Sequence, residues 1–414
     1  MVSSAVFFAC NALVGVQDVK LRGSGDGGKS DSSEPDDEDS STEQPDAPVS
    51  PGDIEELALG FLHGCARSGG GTVKCWGDNA AGQIGDGAPI VDAGTMPILS
   101  PQAVGGVDTV TMLAAGLSHT CAVHHDGAIA CWGYNSTGQL GDGKKDSSSS
   151  PVAVAVIANA TAVAGGANFT CALRKDKTVS CWGANASGQI GDGTKAERLA
   201  PTGVRTTTAP VNTAIAIGAG HDHACAALEN GDVLCWGKNS DGQLGLNNTS
   251  DTPNATKVNG IGGVAQVVGA SRFTCARKTD GAVFCWGTND NGQLGQGSTT
   301  PASSPVPIAV PSLTDAALIW AGFEHACAVT KTGAVKCWGN GMYGQIGVGS
   351  SAQNVMATPT EVTGLTGARG VWTGGDRSCA IGENKRAYCW GANSLAQLGN
   401  GTRDRSTTPT LVKE

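Results

Sequence analysis

An all-β ring of seven four-stranded antiparallel blades, preceded by a disordered N-terminal tether, is the fold this sequence predicts, and three observations predict it. The motif Cys-x9-Cys-Trp-Gly recurs seven times in 414 residues, at 65/75, 121/131, 171/181, 225/235, 275/285, 327/337 and 379/389. The second cysteines stand 56, 50, 54, 50, 52 and 52 residues apart, a period of about 50 that points to propellers or solenoids. Within each period, apolar runs of four to seven residues alternate with Gly, Asp, Asn and Pro, and no stretch sustains a helical repeat.

The second unit shows the elements in order. Thr109 to Ala115 reads as a first strand, His119 to Val123 as a second, Ala128 to Tyr134 as a third, and 151 to 154, after a Gly-Gln-Leu-Gly turn and a variable loop, as a fourth. Four antiparallel strands repeated seven times around an axis make a β-propeller. Whether that fourth strand belongs to its own blade or to the next is open. In the second case the C-terminal Thr408 to Val412 would pair with blade one and clasp the ring.

Hairpin geometry explains the cysteine spacing. With Asp126-Gly127 near the tip, His125 to Gly127 form a three-residue loop ending in a left-handed glycine, and His124 closes on Ala128. If that closing pair is hydrogen-bonded, alternation makes Cys121 and Cys131 a non-hydrogen-bonded pair with Cα atoms about 4.5 Å apart, inside the disulfide range. The same arithmetic applies to Cys65 with Cys75, Cys171 with Cys181, Cys225 with Cys235, Cys275 with Cys285, Cys327 with Cys337 and Cys379 with Cys389. Seven cross-strand disulfides imply an oxidising compartment. Each would contribute roughly 2 to 3 kcal/mol on the chain-entropy account. The rival is metal, because His63, His119, His223 and His325 lie two residues before a cysteine on the same strand face. Phe169, Phe273 and Arg377 hold that place in the other units and no fourth ligand recurs, so no metal and no cofactor is expected.

The unit running from Gly116 to Gly143, Gly-x-x-His-x-Cys-Ala through Cys-Trp-Gly-x-Asn-x-x-Gly-Gln to the closing Gly-x-Gly, resembles the repeat of the regulator-of-chromosome-condensation family, a seven-bladed β-propeller. The resemblance covers residues 53 to 414. It weakens where Lys177 and Lys385 replace the turn glycine, Gly341 the asparagine, and Ala396 the first glycine of Gly-Gln. Cysteine before the tryptophan resembles exported bacterial members, some of which inhibit secreted β-lactamases. Chromatin binding and nucleotide exchange, known for eukaryotic members, would require a compartment that seven disulfides oppose. Ultraviolet sensing needs a clustered tryptophan surface that this chain does not supply.

Residues 1–52 stand apart from the repeat, as a lipoprotein-signal-like segment (1–20) and an acidic linker (21–52). Ala5 to Cys10 is a short apolar run ending in the one cysteine outside the pairs, and it resembles the end of a bacterial lipoprotein signal, which makes Cys10 a lipidation site. The linker is rich in Ser, Pro and acid and has too little apolar surface to order itself. Residues 1–52 hold three basic and ten acidic residues, so of the chain's net charge of −10 the ring carries only −3, from 24 basic and 27 acidic residues. A near-neutral ring with an acidic tail is a poor nucleic-acid binder, and no run of 18 apolar residues spans a bilayer. Any membrane contact would come through the anchor.

Features present once per blade read as architecture: the Trp-Gly tryptophans as packing between blades, and Gln83, Gln139, Gln189, Gln243, Gln293, Gln345 and Gln397 as amides satisfying buried backbone at blade corners. Departures from the repeat are the binding candidates. Trp320 and Trp372 stand seven residues before a first cysteine, where other units carry Ala58, Ala114, Ala164, Gly218 and Val268, and are either packing between blades six and seven or an aromatic patch. Asp222 between His221 and His223 is one dense polar spot. No catalytic motif is present. The expected function is therefore non-catalytic, extracytoplasmic recognition by a monomeric ring of a protein partner, through loops near 86–100, 142–151, 192–210, 246–257, 296–311 and 348–360. The alternatives are a glycan-binding module using Trp320, Trp372, Tyr134 and Tyr343, and an enzyme with an axial site.

Overall fold

The computed structural model describes residues 52–90, 96–350 and 355–413. Cys10, the lipoprotein-like segment and nearly all of the acidic linker lie outside the described residues.

Blade 1 consists of β1 (Ile54–Leu59), β2 (His63–Ser68), β3 (Val73–Gly77) and β4 (Ile98–Ala103), and blade 2 of β5 (Val110–Ala115), β6 (His119–His124), β7 (Ile129–Gly133) and β8 (Ser148–Ala153). Blades 3 to 7 repeat the scheme over 160–203, 214–257, 264–309, 316–361 and 370–411. Every sheet is antiparallel and runs in chain order from its first strand to its fourth. First strands of successive blades touch around the ring, and β1 touches the first strand of blade 7, so first strands line the axis and fourth strands form the rim. Composition follows this gradient. The sequence VTMLAA of β5 is buried at all but one position, whereas SSSPVA of β8 is half-buried or exposed throughout.

The hairpin register is the one the spacing predicts: Cys121 faces Cys131, and the His124 N–H donates to the Ala128 carbonyl at 2.9 Å. All seven cysteine pairs are bonded, with Cα atoms 4.0 to 4.1 Å apart. Left-handed backbone is kept where the repeat loses its glycine, at Lys177 (φ 65°), Lys385 (φ 59°) and Ala396 (φ 59°).

One open question is answered and one expectation changes. The last strand, Ser406–Leu411, pairs with the third strand of its own blade, so no mixed blade clasps the ring. The windows proposed as variable loops also run too far. The one at 192–210 contains the whole fourth strand Arg198–Gly203, and 142–151 runs into β8. These rim strands are rich in Ser, Thr and Pro because they are only half-buried, which gives them a loop-like composition.

Candidate functional site

Alternating strand direction sends two sets of turns to one end of the ring. The turns between first and second strands, such as 60–62, and the long loops between third and fourth strands, such as 134–147, emerge together. The tight hairpins and the blade-to-blade connections emerge at the other end. At the centre of the first end, an axial mouth of about 100 Å³ is lined by one first-to-second turn from each blade, Phe61, Leu117, Ala167, His221, Ser271 and Phe323 among them. Backbone bonds link neighbouring turns: Phe61 N to Leu117 O at 3.3 Å, Leu117 N to Ala167 O at 3.2 Å, Ala167 N to His221 O at 3.0 Å. Six of the seven turns begin with glycine, the blade 5 turn with Ala270, and the close approach explains the preference. A Cβ on Gly116 would lie 2.1 Å from the His119 ring and 2.4 Å from the Gly166 carbonyl.

Beneath the mouth, the histidines once weighed as metal ligands serve as blade joints. The Nε2 atoms of His63, His119 and His223 lie 2.8 to 2.9 Å from Thr120, Thr170 and Thr274 in the next blade, and that of His325 lies 2.8 Å from Ser378. Each hydroxyl donates its one proton to the carbonyl of Gln83, Gln139, Gln243 or Gln345. The histidine must therefore donate from Nε2, so its Nδ1 is a bare acceptor, and all four Nδ1 atoms are buried without a partner among the described residues. Burial holds the four rings neutral, pushing His63 and His325 down to about 3 and His119 and His223 to about 4. No cluster of three or more metal-ligating side chains occurs among the described residues.

The same Gln carbonyls accept the indole N–H of the next blade's Trp-Gly tryptophan. Trp132 reaches Gln83 at 3.0 Å, Trp182 reaches Gln139 at 3.0 Å, and the pattern closes the ring with Trp76 on Gln397 at 3.0 Å. The Gln side chains accept backbone N–H groups two residues earlier, such as Thr137 N on Gln139 at 3.1 Å and Leu395 N on Gln397 at 2.8 Å.

The rest of the mouth divides into two arcs. Blades 1 to 3 present Phe61, Leu62, Leu117 and Ala167, and the Phe61 ring meets Phe323 of blade 6 edge-on at 5.4 Å. Blades 4 to 7 present His221, Asp222, Arg272, Glu324 and Asp376. His221 and Asp222 lie 2.8 Å apart. Hydrogen bonding to Asp222 raises the His221 pKa against the effect of burial, while for Asp222 burial, the largest single influence, is overcome by the hydrogen bond and charge of His221 together with the charges of His223 and Lys238, which leaves it lowered. Arg272 reaches Asp241 at 3.2 Å. Burial, with the Glu324 charge adding to it, raises Asp376. His223, the third member of the sequence's polar spot, is turned into the blade joint, so only His221 and Asp222 of that spot face the mouth.

Trp320 and Trp372 are buried at 2% and 1% exposure, with ring centroids 5.4 Å apart between blades 6 and 7. Neither ring reaches the surface. Tyr134 and Tyr343 are exposed at the mouth end, on blades 2 and 6. Ile90, Met96 and Met342 lie exposed on loops at that same end, whereas Val156 is the one large exposed apolar residue at the opposite end among the described residues. Sequence reasoning missed this one-sidedness, since it depends on which way each strand runs.

A family profile for the RCC1-like domain matches residues 18–365. The chain is 29% identical over 211 residues to the ultraviolet-B receptor UVR8 of Arabidopsis thaliana, covering 50% of this chain and 47% of that one. It is 30% identical over 355 residues to the E3 ubiquitin-protein ligase HERC2 of Homo sapiens, covering 84% of this chain and 7% of that one. The chain thus spans less than half the length of these relatives. Among solved structures it superposes on yeast RCC1 (Prp20), bound there to Kap60, with a TM-score of 0.73 at 20% identity, covering 86% of this chain and 85% of that one. For human WBSCR16 the TM-score is 0.74 at 21% identity, covering 83% and 95%.

Proposed function

The chain belongs to the RCC1-like domain family, and from that premise we propose that it is a non-catalytic recognition module that binds a protein partner through the mouth end of its ring. The observation that carries this reading is the one-sided distribution of exposed apolar side chains, with Tyr134, Met342 and Tyr343 on loops around a centre that already holds Phe61, Leu117 and Phe323. Solvated monomer surfaces scatter such residues singly, and a concentration of them marks an interaction site. Ion pairs occur at both ends, Lys145–Glu197 at the mouth end and Lys257–Asp232 at the opposite one, so it is the exposed apolar side chains that distinguish the two faces. The structures of Prp20 with Kap60, and of Prp20p studied for its binding to Gsp1p and histones, make protein binding a natural use of the fold. Inhibition of an exported enzyme is one form such binding would take.

An extracytoplasmic setting and a monomeric ring are part of the proposal. Seven disulfides support an oxidising compartment, and Cys10 would anchor the chain through its acidic linker. With Trp320 and Trp372 buried, a glycan platform would rest on Tyr134 and Tyr343 alone, on separate blades.

One experiment tests both parts. The protein is exported from its native host, weighed intact with and without reduction before alkylation, and used to capture partners by quantitative mass spectrometry. Fourteen thiols are expected to alkylate only after reduction. A captured protein should be lost from Tyr134→Asp/Met342→Asp/Tyr343→Asp but kept by Val156→Asp, with all rings melting alike. Thiols that alkylate without reduction, or equal capture by the triple variant, would overturn the reading.

A further inference from the structure

Glu56 is a fully buried carboxyl at the junction of blades 1 and 2, and no part of the recognition face uses it. Its Oε2 accepts the Leu113 N–H of β5 at 3.2 Å and the Arg67 Nε–H at 3.0 Å, and its Oε1 has no partner among the described residues. A carboxylate oxygen left bare in an apolar junction is costly.

Blade 5 shows what the missing partner is. Gln266 and Arg277 pair across their strands in the register of Glu56 and Arg67, and Ile319 pairs with Ala328 just as Leu113 pairs with Ala122. Gln266 Oε1 accepts the Ile319 N–H at 3.1 Å and lies 3.4 Å from Arg277 Nε, repeating the contacts of Glu56 Oε2. Its Nε2–H₂ group donates to the Ile319 carbonyl at 2.7 Å. In blade 1 the equivalent atom is Glu56 Oε1, and the shared register makes the Leu113 carbonyl the counterpart of the Ile319 carbonyl, so that a proton is needed for the two acceptors to meet.

We propose that Glu56 is held as a neutral carboxylic acid whose Oε1–H donates to the Leu113 carbonyl, so that the joint between blades 1 and 2 is a proton-dependent latch. The charges agree. Arg67 also bonds Glu55, Nη1 to Oε2 at 2.7 Å, so one carboxylate already balances the guanidinium and the deeper carboxyl can stay protonated. Glu55 and Arg67 are the charged groups that act on it: β5 and the first strand of blade 7, GVWTG, carry no titratable side chain, and Arg377, on the second strand of blade 7 (Arg377–Ile381) that also packs on β1, is engaged with the carbonyls of Gly60, Phe61 and His63. Burial, opposed by the Arg67 charge, pushes the group from 4.5 up to about 8. Folded protein then holds a proton that unfolded chain has lost, so this group's stabilisation is complete below pH 4.5 and disappears as pH rises through about 8.

Glu56→Gln reproduces blade 5 at this joint. Melting temperature followed from pH 5 to pH 9 is expected to fall with rising pH in the wild type relative to Glu56→Gln, with the variant melting at or above the wild type at the alkaline end. A variant that melts below the wild type by a constant margin at every pH would show an ionised Glu56 held by its salt bridge, and would overturn the latch. Infrared spectroscopy of the unmodified protein decides the matter even if the variant does not fold. A protonated-carboxyl C=O band should persist at pH 7 and titrate away near pH 8, and its absence at pH 7 refutes the proposal.

Discussion

Six junctions of this ring join blades that follow one another along the chain, and the seventh joins blade 7 to blade 1, between residues more than three hundred positions apart. All seven share the indole-to-glutamine bond, as Trp390 to Gln345 at 2.9 Å and Trp76 to Gln397 at 3.0 Å show for an ordinary junction and the seam. They differ one layer deeper. Four ordinary junctions use a histidine on a threonine or serine, and two use a phenylalanine, Phe169 and Phe273, against a next blade that carries Ala224 and Ala326 at the matching place. The seam alone uses an arginine. The Arg377 guanidinium donates to the carbonyls of Phe61 at 2.9 Å and Gly60 at 3.2 Å, and also to that of His63. Lys385 adds an ion pair to Asp53 at 2.8 Å, and the Ile54 N–H reaches the Lys385 carbonyl at 3.0 Å. Where the chain itself does not bring two blades together, charge-assisted bonds to several carbonyls stand in for connectivity.

The largest expected effect breaks that difference directly. Arg377→Ala strips one cation from several buried carbonyls and leaves a cavity, a loss of about 3 to 5 kcal/mol on denaturant unfolding. Truncation of Phe169 at an ordinary junction falls in the same range through its cavity. The two should separate by mechanism. With Arg377→Ala, hydrogen exchange should rise first in blades 1 and 7 while the remaining sheets stay protected. Uniform loss of protection around the ring would mean that the seam is no weaker than its neighbours.

A smaller effect tests the histidine code. Thr170→Ala alone strands the His119 N–H and His119→Phe alone crowds a hydroxyl, so each should cost about 1 to 3 kcal/mol. The double variant rebuilds the Phe–Ala joint found elsewhere in the ring and should recover most of the loss, with a coupling energy of about 0.5 to 3 kcal/mol. It should also flatten the acid limb. His119, lowered to about 4 in the folded protein, contributes stability that is complete above pH 6.5 and is lost as pH falls toward 4, at most about 1.4 kcal/mol per pH unit. Additive single losses, or an unchanged acid limb, would show that the His–Thr contact does not act as one unit.

Much of this was legible because the repeat samples each position seven times. Blade number, hairpin register and disulfide pairing followed from a ten-residue spacing and the pleat. The joint code was also written in the sequence, as His63 with Thr120 and Phe169 with Ala224, but the pairs lie more than fifty residues apart and become neighbours only once blade follows blade. Arg377 read as a break in a histidine pattern when it is the residue that closes the circle. The rim strands hid among loops because half-burial imposes no apolar alternation on sequences such as STTPTL. Glu56 gave no signal at all, since beside Glu55 it reads as one of two acids at the start of a strand until its glutamine counterpart is seen in space.

The smallest effect concerns the chain that connects two ordinary blades. In the connections after blades 1, 4 and 6 the third residue is glycine, Gly106, Gly260 and Gly364, with φ of 75°, 81° and 77°. After blade 2 the same place holds Val156 at φ 51°, with 95% of its surface exposed. A β-branched residue in that region is strained by about 1 to 2 kcal/mol or more, and its exposed side chain offers little packing in return. Val156→Gly relieves the strain but gives the unfolded chain more freedom, an opposing cost of about 0.4 to 1 kcal/mol. The balance is a gain of about 0.5 to 1 kcal/mol, measured as a higher denaturant midpoint at unchanged slope. A gain would mean that junctions between consecutive blades tolerate a poor linker because their joints hold without it. A loss would mean that Val156 is engaged at the ring's far end, and that the two faces differ less than their exposed side chains suggest.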